Sequence, residues 1–305
     1  MTFAKFVFLV IDKMFNPYQN PRKMTKKNME GLQVEKDIVY DERYPDMKLD
    51  TYVKPREDGK PYPVVMEIHG GGFSAGDKKY RRCLSAFFAQ NTGAFVVNVN
   101  YGLGGEIVCP VPTQQLVAAF NWIIANAEKY NLDTGKILVT GDSAGGYYSA
   151  MLSAIQDNDK LQEVYGKMNG RISGAVYNCG IYDIQIALKQ KVLFNLTDGV
   201  CRDFAGMSPK DIDKFELLPY VSPGDYVTAS WPKSYVIYAE QDFFCGGQGE
   251  HLVEVLKELG VYVESYGSKK FSDNHTFSLT WSSKAAKEAN EGAIAFMNKF
   301  FRDEI

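Results

Sequence analysis

The sequence predicts an α/β fold, a mostly parallel sheet with helices on both faces, and three observations carry that prediction. From about residue 33 onward, short runs rich in β-branched residues alternate with longer stretches of helical periodicity. Buried strands joined through helices pair in parallel by right-handed crossovers. The 305 residues are 45% apolar and 23% charged, which suits a single globular unit that buries roughly 75% of the surface its unfolded chain exposes. Finally, a glycine-rich hexapeptide, residues 141–146, stands directly between one strand signal and one helix signal.

Taken in order, residues 3–15 read as an amphipathic helix that docks an apolar face, and Arg22, Lys23, Lys26 and Lys27 read as a solvated loop. Residues 33–40 and 49–53 alternate apolar with polar, as a half-exposed antiparallel pair does. Buried strands are predicted at 63–68, 94–99, 136–140, 172–177, 234–238 and 261–266. Helices are clearest at 114–130, 144–155, 249–259 and 283–301. Residues 184–231 break the rhythm with turn signals and large side chains, among them Phe194, Phe204, Phe215, Tyr220 and Tyr226. The expected organisation is an N-terminal helix (1–35) that contributes to a cap, a main domain (36–183 and 232–305), and a cap insertion (184–231).

Composition excludes several function classes. With 34 Lys+Arg against 37 Asp+Glu, the net charge of -3 offers no excess for a polyanion, so nucleic acid is not an expected partner. The five cysteines (Cys83, Cys109, Cys179, Cys201, Cys245) include no C-x-x-C pair. That pattern argues against a zinc ribbon or a disulfide framework and suits a reducing, cytoplasmic setting. The run from Phe6 to Ile11 falls far short of the roughly 20 apolar residues of a membrane span. No metal cluster or nucleotide-binding loop is expected. The 102–107 stretch has Ile107 where a dinucleotide fingerprint needs its last glycine.

The chemistry-bearing residues begin with Gly141-Asp142-Ser143-Ala144-Gly145-Gly146. A G-x-S-x-G at a tight strand-to-helix turn holds its serine in strained backbone geometry, and only small neighbours avoid clashes there. Ser143 is therefore the expected nucleophile. His69-Gly70-Gly71-Gly72-Phe73 follows the strand at 63–68. Three glycines let backbone amides approach a reacting carbonyl and stabilise its negative charge, so Gly71, Gly72 and Ala144 are the expected oxyanion donors. A serine needs a base, and only three histidines exist. His251 falls within a helical pattern and His69 opens the glycine loop, where holding that loop is its expected role. His275 lies in a polar loop after the last strand and is the expected base. Asp242, just past the strand at 234–238, is the expected carboxylate; Glu240, expected to lie deeper, and Asp273 are second choices. The chain order Ser143, Asp242, His275 is that of α/β hydrolases.

With these residues in place, the sequence resembles the α/β-hydrolase carboxylesterases of the hormone-sensitive-lipase-like group. The resemblance implies cofactor-free hydrolysis of short-chain carboxylic esters through an acyl-enzyme, acting on a small-molecule ester as a monomer or homodimer. It also implies a cap built from the N-terminal segment and an insertion after the sixth strand. Residues 100–106 depart from that group's Tyr-Arg-Leu-Ala-Pro-Glu segment, with Gly102 in place of arginine and Gly104-Gly105 in place of Ala-Pro. Gln115 replaces a common aspartate, and Cys245-Gly246 stands where a second acid often follows Asp242. These departures predict that no buried charged network lies near the site. The rival readings are an amidase or peptidase with the same triad, and a catalytically idle hydrolase fold that binds a ligand.

Overall fold

Strand β3 (Tyr62–Ile68) explains the layering: Val64, Met66 and Ile68 pack into one apolar layer while Val65 packs into the other. A strand buried on both faces is mostly apolar, which is why its sequence reads as a near-continuous apolar run interrupted by Glu67. The computed structural model describes residues 1–189 and 196–305. The other strands are β1 (Gln33–Val39), β2 (Lys48–Val53), β4 (Phe95–Val99), β5 (Leu132–Asp142), β6 (Gly174–Asn178), β7 (Lys233–Ala239) and β8 (Val263–Ser268). They form one sheet in the order β1-β2-β4-β3-β5-β6-β7-β8. The pairs β1–β2 and β2–β4 are antiparallel and all the others parallel.

Helices α3 (Arg82–Thr92) and α11 (Lys284–Phe301) cover one face, through Phe88, Ala289, Phe296 and Phe300 among others. On the other face lie α4 (Val111–Ala125), α6 (Ala144–Ile155), α7 (Asp159–Tyr165) and α10 (Gln248–Glu258). Among the described residues between β6 and β7 run α8 (Ile184–Lys189), α9 (Leu196–Ala205) and three short 3-10 turns. Helix α1 (Phe3–Gln19) lies against α9, where Gly199 leaves room for Ala4. Thr2 caps α1 and donates its hydroxyl hydrogen to Asp203 at 2.6 Å, and Lys5 donates to the carbonyl of Gly104 at 2.9 Å.

Several local expectations need correction. The basic cluster is not a loop but helix α2 (Arg22–Met29), because Asn28 turns inward onto Cys83 of α3 while the charges stay in water. The long helix predicted at 114–130 breaks at Asn126 into α4 and α5 (Ala127–Tyr130). Helix α1 docks only a narrow face centred on Ala4 and Asp12, leaving Phe3, Phe6, Val10 and Met14 exposed. Phe194 falls outside the described residues.

The first turn of α6 presses on the backbone of β3. A Cβ on Gly145 would overlap the carbonyl oxygens of Ile68 and His69, and backbone cannot yield as a side chain can. Gly145→Ala is therefore expected to lower the unfolding free energy by about 1–3 kcal/mol, the range for overpacking. Urea titration followed by far-UV circular dichroism checks this, and an unchanged midpoint would contradict it.

Candidate active site

All parallel strands of the sheet point the same way, and in open α/β sheets the crevice at their carboxyl ends is where function assembles. Ser143 directly follows β5 at that edge and begins α6. Its backbone adopts φ 53° and ψ -118°, a combination a residue with a side chain rarely takes, at a strain of order 1–3 kcal/mol. The Ser143 amide donates to the carbonyl of Asn178 at the end of β6 (2.9 Å), and its own carbonyl accepts from Tyr147 (3.0 Å). A Cβ on Gly70 would overlap Asp142, so the glycine loop packs directly against the turn.

The structure brings Ser143, His275 and Asp242 into one hydrogen-bonded line. His275 Nε2 lies 2.8 Å from Ser143 Oγ, and His275 Nδ1 lies 2.8 and 3.0 Å from the two carboxylate oxygens of Asp242. Asp242 sits just past β7, and its Oδ1 also accepts from the amides of Phe244 (2.8 Å) and Cys245 (2.9 Å). Burial alone would raise its pKa, but the imidazole and these two amides outweigh it and hold the carboxyl below the usual range. Asn274 joins the two loops, accepting from the amide of His275 at 2.8 Å and donating to the carbonyl of Gln241 at 2.5 Å. The second-choice acids lie apart. Asp273 accepts from Ser268 at 2.6 Å; Glu240 is exposed rather than deep, beside Lys269 at 3.3 Å.

Gly71 and Gly72 line the cavities beside Ser143, with Ala144 on the apolar side. Gly71 has φ 138° and its carbonyl accepts from Ser74 (3.1 Å) and Ala75 (3.0 Å), which folds the loop tightly. Among the described residues, none of the three amides is spent on another backbone carbonyl outside the regular elements. His69 is buried, lies 2.9 Å from the carbonyl of Gly70 through Nδ1, and stacks on Tyr101 at 4.5 Å. His251 is exposed.

A buried charged cluster lies under Ser143, contrary to the expectation of none; it is built from residues outside the departed motif. Arg81 grips Asp142 with two hydrogen bonds of 2.5 and 2.6 Å, both side chains being almost fully buried. Its remaining nitrogen donates to Gln19 of α1 at 2.9 Å. Glu67 of β3 is fully buried, with neither oxygen hydrogen-bonded among the described residues. Burial, reinforced by Asp142, pushes its pKa well above the ordinary carboxylate value. Burial likewise pushes Asp12 of α1 up to about 6, against the pull of Arg81. Sequence reasoning missed this cluster. Its one legible signal was an acid inside an otherwise apolar strand, Glu67.

Two cavities flank Ser143. One is walled by apolar side chains including Ile181, Ile184, Leu188, Leu196 and Val200. The other lies under α1 and includes Asp12, Gln19, Arg81 and Thr280. Phe8 of α1 and Phe244, 6.2 Å apart, border both. Among the described residues, one group has metal-ligating potential: Cys179, Asp242 and His275, with donor atoms within 4.8 Å of one another. Two of its three members are already committed to each other by hydrogen bonds. No helix among the described residues is long and apolar enough to cross a membrane.

The titration of His69 has a measurable consequence. Burial lowers its pKa from 6.5 to about 4. The unfolded chain therefore binds a proton at this site that the folded chain does not, and stability held above pH 6.5 is lost as pH falls toward 4. The expected loss reaches about 3 kcal/mol. Urea unfolding between pH 7 and 4, with His69→Asn as reference, checks it; equal pH slopes in the two proteins would contradict it.

Comparison with known proteins now places the chain. The BD-FAE family model matches residues 49–254, and the chain belongs to that family. It is 25% identical over 258 residues to the probable carboxylic ester hydrolase LipM of Mycobacterium tuberculosis, covering 83% of this chain and 58% of LipM. It is 26% identical over 183 residues to the acetyl esterase of Salmonella schwarzengrund, 59% of this chain and 55% of that protein. The chain thus spans a little over half the length of these two relatives. The crystal structure of esterase B from Lactobacillus rhamnosis superposes with a TM-score of 0.77 at 19% identity, covering 98% of each chain. The fold is that of the α/β hydrolases.

Proposed function

We propose that this chain is a serine carboxylesterase that hydrolyses short-chain carboxylic esters through an acyl-enzyme. The observation that carries the reading is the unbroken Asp242–His275–Ser143 line, 2.8 Å at each step, opening onto an apolar cavity. In the proposed reaction, Ser143 Oγ attacks the ester carbonyl while His275 Nε2 takes its proton. Asp242 keeps the opposite proton on Nδ1 and stabilises the imidazolium. The carbonyl oxygen becomes an oxyanion that the amides of Gly71, Gly72 and Ala144 hold. As the C–O bond to the alcohol breaks, His275 returns the proton to the departing oxygen. Water, deprotonated by the same imidazole, then attacks the acyl-serine and releases the acid.

Chain organisation supports this reading. The N-terminal segment (1–35) and the insertion (184–231) act as the cap, since α1 supplies Phe8 and α8 and α9 supply Ile184, Ala187, Leu188, Leu196 and Val200 to the apolar wall. Its Ile and Leu lining suits the short alkyl acyl chain of a small-molecule ester. The acetyl esterase relative carries that substrate class in its name. All five cysteines are free thiols, which supports a reducing compartment, the cytoplasm.

Ser143→Ala is expected to reduce kcat on 4-nitrophenyl butyrate by at least about 10⁴-fold, as removal of a triad nucleophile does. Circular dichroism should be unchanged, and a fluorophosphonate probe should label the parent protein but not the variant. Retained turnover would refute Ser143 as nucleophile. An unlabelled parent would favour the ligand-binding reading, and faster cleavage of a matched anilide than of the ester would favour an amidase.

A further inference from the structure

We infer that the cavity under α1 is the leaving-group subsite and that Asp12 selects esters whose alcohol carries a hydroxyl on the carbon adjacent to the one bonded to the ester oxygen. The inference rests on Ser143 being the nucleophile proposed above. A tetrahedral centre on Ser143 projects an acyl group and an alkoxy group in different directions, and the structure has one cavity for each. The apolar cavity matches an alkyl acyl chain. The second cavity also reaches Ser143 and His275, but its wall includes Asp12, Gln19, Arg81, Thr276 and Thr280. Phe8 and Phe244 stand between the two, with the Phe244 ring 5.0 Å from the imidazole that protonates the departing oxygen.

Asp12 is the unexplained group in this cavity. Its residue is only 6% exposed, yet its Oδ2 accepts no hydrogen bond among the described residues. The donors around it are spent elsewhere. Arg81 gives two hydrogen bonds to Asp142 and one to Gln19, and Lys79 pairs with Asp77 at 2.9 Å. Among the described residues, the amide of Gly76 is the backbone donor that lowers the pKa of the Asp12 carboxylate. A buried carboxylate oxygen without a donor is costly, and a substrate hydroxyl that reaches it relieves that cost. A site built to receive a hydroxyl rejects the analogue lacking it, because the protein group is then left unpaired. Asp12 is a specificity-determining residue for the alcohol and takes no part in the proton transfers.

The test compares isosteric esters at pH 8, where Asp12 is ionised. The first pair is 2-hydroxyethyl butyrate and propyl butyrate, differing by hydroxyl for methyl on the alcohol. The second is ethyl 3-hydroxybutyrate and ethyl 3-methylbutyrate, differing the same way on the acid. The expected ratio of kcat/KM, hydroxyl over methyl, is about tenfold for the first pair, the size of a hydrogen bond to a charged acceptor. It should fall toward one in Asp12→Leu and keep an intermediate value in Asp12→Asn. Each ratio is taken within one protein, so a loss of folded enzyme cancels. A first-pair ratio near one in the parent protein overturns the inference, as does a ratio that Asp12→Leu leaves unchanged. A hydroxyl preference confined to the second pair would also overturn it, by assigning the cavity to the acid. If the parent protein hydrolyses neither member of either pair and takes no fluorophosphonate label, the esterase reading fails and this inference with it. Hydrolysis without discrimination sinks the inference alone.

Discussion

A single bent residue, Ser143, sets the geometry on which the site depends. Its left-handed φ lifts the hydroxyl clear of the sheet edge and turns the chain at once from β5 into α6. Such a conformation is unfavourable by itself and persists only where its surroundings hold it. Here the holders are specific. The amide bonds back to Asn178, Gly70 and Gly145 bring neighbouring backbone too close for any side chain, and Arg81 clamps the preceding carboxylate from below. Relaxation of the turn would have to break a buried ion pair and disturb packing on β3 together.

That clamp also couples the N-terminal helix to the chemistry. Arg81 reaches Asp142 on one side and Gln19 on the other, while Trp281 donates to the carbonyl of Gln19 at 3.0 Å. Helix α1 is therefore fixed at its far end through the residue that braces the Asp142–Ser143 turn, and near its start through Thr2 and Lys5. Its middle delivers Phe8 and Asp12 to the two cavities. Arg81 and Asp142 are buried as a pair, while burial raises the pKa of both Glu67 and Asp12 and so eases the cost of enclosing these two acids beside them. A buried pair of this kind adds little stability by itself, but its loss would leave a charge without a partner.

Much of this was legible in the sequence because it depends on local patterning. Strand and helix periods give the order of elements, and motifs at strand ends bring Ser143, the glycine loop, Asp242 and His275 to one edge of any parallel sheet. What could not be read depends on side chains meeting across the fold. Arg81 stands in a run of basic residues whose ordinary fate is solvent, and nothing local distinguishes it from Lys79 or Arg82. Asp12 interrupts an apolar run and looks like a surface residue until α1 is laid over the crevice. The departures around Gly102 and Gln115 misled for the same reason. Gln115 in fact accepts from the amide of Gly102 at 2.6 Å, a neutral local contact, while the charged cluster is assembled from other segments.

The most direct measurement is a crystal structure of the chain after reaction with an alkyl phosphonate ester, a mimic of the tetrahedral centre. The account predicts phosphorus bonded to Ser143 Oγ, with the phosphonyl oxygen within hydrogen-bond reach of the amides of Gly71, Gly72 and Ala144. The alkyl chain should lie among Ile184, Leu188 and Val200. A phosphonyl oxygen turned away from those amides, or phosphorus on another residue, would contradict it.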